Sequence, residues 1–126
     1  LNALAKFDHY DRAVFDALCD EAVTKAATFT SQGIGNTLNA LAKLDHYDEG
    51  VIAALCAEAE GKVASFNAQE ISNTLNALAK LEYYDRALVA VFCVEVVDKA
   101  GSFNSQAIAN TLNALVKFDH YDEAVF

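Results

Sequence analysis

The sequence repeats itself every 37 residues, and this period constrains the fold more than any other feature. The eight residues Asn36–Lys43 recur unchanged as Asn73–Lys80, and they recur as Asn110–Lys117 with Val116 as the one difference. Leu1–Lys6 matches the end of a further copy. A fixed period of this length is typical of arrays in which each repeat is one supersecondary unit packed against its neighbours.

Each copy begins with the start signal of a helix. In the middle copy, Asn67 stands three residues before Glu70, which is the spacing of a capping box, and Phe66 and Ile71 flank the cap as a hydrophobic staple. The neighbouring copies repeat the cap and staple at Phe29, Thr30 and Ile34, and at Phe103, Asn104 and Ile108. We therefore predict a first helix after each of these caps.

A second cap and staple follow in every copy, at Tyr84, Asp85 and Val89 in the middle one. The same residue types recur at Tyr10, Asp11 and Phe15, at Tyr47, Asp48 and Ile52, and at Tyr121, Asp122 and Phe126. The chain contains no Pro and only five Gly, which favours helices over a many-turned β fold. We predict an all-α, right-handed α-solenoid of antiparallel helical hairpins with a 37-residue period.

The period also divides the chain into repeats. We predict a partial repeat over 1–29, full repeats over 30–66 and 67–103, and a partial repeat over 104–126. Neither end carries the polar capping repeat that closes a natural solenoid, so we expect this chain to be a fragment of a longer array.

One polar face recurs on the first helices. On a helical wheel, two Asn, one Gln and one Lys of each copy fall within an arc of roughly 60°, opposite the apolar side. We name this set the amide–lysine stripe, and its members are Gln32, Asn36, Asn39, Lys43, Gln69, Asn73, Asn76, Lys80, Gln106, Asn110, Asn113 and Lys117. They are our candidate RNA- or partner-binding residues.

Two interpretations of the stripe stay open at this point. Amides can donate and accept hydrogen bonds at a base edge while Lys contacts phosphate, which would suit RNA. Alternatively, the Asn side chains form a structural ladder between repeats, or recent duplication has left them identical. The net charge of −9 argues against nucleic acid, but the three first helices over 31–43, 68–80 and 105–117 carry three Lys and only Glu70 as acid.

Three other sets of recurring residues do not indicate a binding or catalytic site. Lys25, Lys62 and Lys99 recur near the end of the second helix, where a cation complements the helix dipole. His9, His46 and His120 lie in Asp-His-Tyr-Asp corners, which we interpret as solvated, since Tyr83 replaces His in one copy. Cys19, Cys56 and Cys93 are 37 residues apart, and in successive layers they would be too distant for disulfides, which indicates free thiols in a reducing compartment. No catalytic set is evident, and we expect no enzymatic activity, cofactor or bound metal.

The segment Phe66–Leu81, with its Asn-Thr-Leu-Asn-Ala-Leu-Ala core, resembles the first helix of the octotricopeptide and heptatricopeptide repeats. The resemblance implies a helical-hairpin array that acts in an organelle, mitochondrion or chloroplast, in RNA maturation, stability, translation or ribosome assembly. It departs from those families where Asn39, Asn76 and Asn113 replace their usual Trp, and where Ser31, Ala68 and Ser105 replace their usual Pro.

Two functions follow from these observations. The first is binding of single-stranded or ribosomal RNA in an organelle through the amide–lysine stripe. The alternative is a protein scaffold that holds other subunits of a large organellar complex, such as a ribosome or a membrane assembly, without RNA contact. No apolar run in the sequence is long enough for a transmembrane segment.

Overall fold

The computed structural model describes residues 11–125, with side chains as far as Asp119. Over these residues the chain forms α-helices, short 3₁₀ turns and no strand, which confirms the all-α class. The helices are α1 (Arg12–Thr24), α2 (Ser31–Lys43), α3 (Glu49–Gly61), α4 (Ala68–Lys80), α5 (Arg86–Lys99) and α6 (Ser105–Val125). Between residues 11 and 125, no helix is both long enough and apolar enough to span a membrane.

The helices form two layers. Helices α2, α4 and α6 pack side by side in one layer, and α1, α3 and α5 pack side by side in the other. A 3₁₀ turn follows each of α1, α3 and α5, at Ala26–Thr28, Val63–Ser65 and Ala100–Ser102. The helix starts recur at intervals of 37 residues in both layers, as the sequence repeat predicts.

The predicted caps form hydrogen bonds. Asn67 Oδ1 accepts from Glu70 N at 2.8 Å and Glu70 Oε1 accepts from Asn67 N at 3.0 Å, which completes the capping box of α4. The side chains of Thr30 and Asn104 accept bonds from the first turns of α2 and α6. Asp11, Asp48 and Asp85 do the same for α1, α3 and α5. The partial copy predicted over residues 1–10, with the Tyr10 staple, lies outside the described residues.

Helix α4 lies at the centre of the core because it has a neighbour on both sides. Ile71, Leu75 and Leu78 are fully buried, and so are the equivalent Ile34 and Leu38 of α2. The apolar side of α6 is covered less completely, and the exposed side chains there are Ile108, Leu112 and Val116. The core therefore runs across the repeats, as expected when each one buries its apolar face against the next.

The prediction of a helix break before the cap at Asp122 is wrong. The breaks over 45–48 and 82–85 are present, but α6 continues without interruption through the third equivalent corner to Val125. At the first two corners, Asp45 and Glu82 adopt positive φ angles of 55° and 60°. Such left-handed residues cost free energy, and continuing the helix avoids that cost. The predicted cap at Asp122 is thus helical backbone, and its side chain lies outside the described part of the chain.

Candidate nucleic-acid interface

The amide–lysine stripe is accessible to solvent on all three first helices. None of its twelve members is buried, and on α4 the residues Gln69 and Lys80 are exposed while Asn73 and Asn76 are half-buried. By contrast, Ile71 on the opposite side of α4 is fully buried. On α2 and α4 the stripe is therefore more exposed than the apolar side, as the helical wheel predicts. On α6 the apolar residues Ile108, Leu112 and Val116 are exposed as well.

Amides from two successive repeats face one shared groove. Gln32 and Asn36 of α2 and Gln69 and Asn73 of α4 line this groove, which has a volume of about 180 Å³. A second groove of about 260 Å³ lies between α4 and α6 and also contains Gln69. Four stripe residues thus share the groove between α2 and α4, and Gln69 also borders the groove between α4 and α6. Amide donors and acceptors at such spacing can bond to base edges or to a partner's backbone.

Among the described residues, the hydrogen bond between stripe amides lies within one repeat. Gln69 Nε2 donates to Asn73 Oδ1 at 3.0 Å, and both residues belong to α4. Two bonds between the first helices involve no stripe amide: Ser31 Oγ donates to Glu70 Oε1 at 2.9 Å, and Lys117 Nζ donates to the carbonyl oxygen of Ala79 at 3.4 Å. The Asn73 amide group keeps its donor side for a ligand.

A different set of residues connects the repeats, and the sequence interpretation missed its role. Lys62 Nζ donates to the carbonyl oxygens of Ala27 and Phe29 in the preceding repeat, at 3.0 and 2.7 Å. Lys99 Nζ makes the same pair of bonds to Ala64 and Phe66. The helix dipole is therefore only part of the reason for a cation at this position.

The sequence contained a signal for these lysine contacts between repeats. A Glu stands four residues before each of these lysines, and the pairs are Glu21–Lys25, Glu58–Lys62 and Glu95–Lys99. In the structure, each Glu carboxylate lies within 3.4 Å of its Lys Nζ. The carboxylate holds the lysine side chain where it reaches the neighbouring turn, and it balances the charge of a group that is half-buried in two of the three copies.

The three stripe lysines are not equivalent. Lys117 Nζ donates to the carbonyl oxygen of Ala79 near the end of α4, at 3.4 Å. Lys43 and Lys80 are exposed at the ends of their helices. The acids of the second-helix layer that are exposed include Asp20, Glu60 and Asp98. Positive charge available for phosphate is therefore concentrated at the ends of α2 and α4.

The histidine of the Asp-His-Tyr-Asp corner between α2 and α3 is buried, so its interpretation as solvated was wrong, while Asp45 and Tyr47 of the same corner are exposed. His46 is 4% exposed and packs against Phe15 of α1 with ring centroids 5.6 Å apart. Cys19 of α1 is buried beside it. Burial and the nearby Asp48 carboxylate raise the pKa of the Cys19 thiol. The corner buries its histidine because α1 covers it from the preceding repeat.

The three cysteines are free thiols, as their 37-residue spacing predicts. All three thiols lie in the described part of the chain and none of them forms a disulfide. Burial raises the pKa of Cys56 to about 12, with a smaller contribution from the charge of Asp85. Burial likewise raises the pKa of Cys93. These thiols are neutral at physiological pH, and neutral buried thiols are poor nucleophiles.

A comparison with protein families identifies a match over nearly the whole chain. The model of the family described as "RESC6: RNA-editing substrate-binding complex 6 protein" matches residues 1–124. No curated protein matches the chain. The match overturns the assignment to the octotricopeptide and heptatricopeptide repeats. The residues that carried that resemblance, such as Thr74, Leu75 and Leu78, are buried, so the motif describes how the helices pack rather than what the family does.

Proposed function

Because this chain belongs to the family of RNA-editing substrate-binding complex 6 proteins, we propose that it is a non-catalytic helical subunit of such a complex. Its amide–lysine stripe would contact the RNA, and its second-helix layer would face other subunits. The RNA role in an organelle, which the sequence predicted without a specific process, would then be RNA editing. The complex acts in mitochondria, and we assign this protein to the same organelle.

The observation that carries the proposal is the shared groove between α2 and α4. Gln32, Asn36, Gln69 and Asn73 border it, and Lys43 and Lys80 are exposed at the ends of the same two helices. Amides beside lysines supply the two kinds of contact that single-stranded RNA requires, to base edges and to phosphates. Lys62 and Lys99 do not offer this combination, because they are bonded to carbonyl oxygens of a neighbouring repeat.

Hydrogen bonds between repeats support a proposal for the overall architecture of this subunit. We propose that its hairpins stack into a right-handed α-solenoid, with the first helices in the layer that carries the stripe. Bonds between repeats, such as those of Lys62 and Ser31, join residues 33–39 positions apart, as stacked copies require. Stacking brings the stripes of neighbouring repeats about 10 Å apart, which is the usual distance between packed helices.

A competition assay with Asn36→Ala tests the RNA contact. Asn36 is exposed and lines the shared groove, and Ala is the better helix former, so the substitution removes an amide without weakening the fold. We expect a loss of about 1–3 kcal/mol for the preferred RNA and a smaller preference over other sequences. An equal loss for every RNA sequence would contradict base reading and leave only a general electrostatic groove.

Protein binding by the same surface is the second candidate, and one observation favours it. Lys117 is directed to the Ala79 carbonyl, so one of the three stripe lysines is not free for phosphate. If Asn36→Ala leaves RNA affinity unchanged but removes another subunit from the purified complex, the stripe is a protein-binding surface.

A further inference from the structure

The buried corner between α2 and α3 brings together three side chains that are common metal ligands. The thiol of Cys19, the imidazole of His46 and the carboxylate of Asp48 have ligand atoms that all lie within 4.8 Å of one another. Cys19 and His46 are buried, and Asp48 is half-buried. They come from α1, from the corner and from the cap of α3, so tertiary packing is what assembles them.

We infer that Cys19, His46 and Asp48 bind a Zn²⁺ ion, with Asp16 as the fourth ligand. Thiolate, imidazole and carboxylate are the ligands that zinc takes in proteins, usually four in a tetrahedral arrangement. Around one zinc ion the ligand atoms lie roughly 3.3–3.8 Å apart, so small side-chain rotations bring the three atoms into place. Asp16 Oδ1 lies 3.7 Å from His46 Nε2, and we place this carboxylate at the remaining position.

The chemistry of the corner suits a divalent cation. The Cys19 thiol and the Asp48 carboxylate have ligand atoms within 4.8 Å of each other, so one cation can contact both. Zinc binding would release the thiol proton to solvent and leave a thiolate ligand. The negative charges of Asp16 and Asp48 would then stabilise the cation. The site is independent of the RNA interface and would fasten α1 to the corner of the next repeat.

The next repeat provides an internal control. Cys56, Tyr83 and Asp85 occupy the equivalent positions 37 residues later, and Tyr83 replaces the histidine. Burial raises the pKa of the Tyr83 phenol, with further contributions from Cys56 and Asp85, which indicates that the three groups are close together. A neutral phenol is not among the usual zinc ligands. We therefore expect the first corner to bind zinc and the second not to bind it.

A cobalt titration of the full chain under reducing conditions tests the site, with Co²⁺ as a spectroscopic probe for Zn²⁺. Cys93 and His120 repeat the same pair, so every protein in the series carries His120→Gln. We expect a thiolate-to-cobalt charge-transfer band and the visible bands of tetrahedral Co²⁺, saturating at one equivalent and disappearing when Zn²⁺ is added. Circular dichroism checks that each protein is folded.

Three variants separate a metal site from a packed corner. His46→Tyr copies the residue of the second corner and should abolish the bands, whereas Cys56→Ala should leave them unchanged. Asp16→Asn removes the fourth ligand and should weaken zinc binding by more than the roughly 10–100-fold that the loss of an outer-shell partner costs. Ala53 stands at the position equivalent to Asp16, so Tyr83→His restores three of the four ligands and should add a second, weaker equivalent. Absence of the charge-transfer band, or equal binding by the His46→Tyr protein, would overturn the proposal.

Discussion

At the scale of single residues, Gly35 of α2 lies close to Thr74 of α4. A Cβ atom at this position would lie 3.2 Å from Thr74 Oγ1, so only a glycine fits without a shift of its neighbour. The Thr74 hydroxyl is buried and has no hydrogen-bond partner within the described residues. A buried hydroxyl without a partner loses its hydration and gains nothing in exchange.

Replacing this hydroxyl should stabilise the protein. We expect Thr74→Val, which exchanges the hydroxyl for a methyl group of similar size, to raise the free energy of unfolding by about 1 kcal/mol. Urea denaturation measures the change. Thr37, the equivalent residue of the preceding repeat, is half-buried, and Thr37→Val should have a smaller effect. A loss of stability in Thr74→Val would mean that the hydroxyl is hydrogen-bonded in solution.

Single residues also mark the limit of what the sequence predicts. Caps such as Asn67 are local features, because residues three positions apart complete their hydrogen bonds, so they can be predicted from one segment. The burial of His46 depends on α1, which belongs to the preceding repeat. Spacing within one corner contains no information about such a cover, and so the corner was taken for a solvated one.

At the scale of elements, Lys62 and Lys99 connect the ends of α3 and α5 to the 3₁₀ turns that precede α2 and α4. Lys62 donates to two carbonyl oxygens, and removal of its charge-assisted bonds leaves those acceptors without a partner. We expect Lys62→Met, which keeps the aliphatic chain, to lower the free energy of unfolding by about 1–3 kcal/mol. The measurement is again urea denaturation.

Lys25 provides the matched control for that substitution. It has the same type of Glu partner, Glu21 at 3.2 Å, but its side chain is 65% exposed. An exposed ion pair contributes little, and Lys25→Met should change the free energy of unfolding by less than about 0.5 kcal/mol. Equal losses in the two variants would show that the lysine acts through its own helix and not between repeats.

The same substitution at two equivalent corner positions should change the free energy of unfolding in opposite directions. Glu82 has a φ of 60°, which glycine adopts without strain, so Glu82→Gly should raise the free energy of unfolding by about 0.5–1 kcal/mol. Asp119 occupies the same place in the third repeat but lies inside α6, so Asp119→Gly should lower it by about 1 kcal/mol. If Asp119→Gly stabilises the protein, the third corner is a hairpin in solution.

At the scale of the whole molecule, the net charge of −9 is misleading because the charge is unevenly distributed. Acids such as Asp20 and Glu60 are exposed on the second-helix layer, while Lys43 and Lys80 are exposed on the first. The sequence predicted this separation from the helical wheel and the repeat. It could not predict that Lys117 bonds to α4, because that contact depends on how far neighbouring helices slide along each other.

The salt dependence of RNA affinity distinguishes local contacts from net charge. If Lys43 and Lys80 each contact one phosphate, Lys43→Ala and Lys80→Ala should each reduce the slope of log K against log[salt] by about 0.7. Asp20→Asn also changes the net charge, but it lies in the other layer, so it should raise the affinity slightly without altering the slope. Lys25→Ala removes an exposed cation from that same layer and should leave the slope unchanged as well. If Lys25→Ala reduces the slope as much as Lys80→Ala does, RNA responds to the charge of the whole molecule, and the stripe is not its binding site.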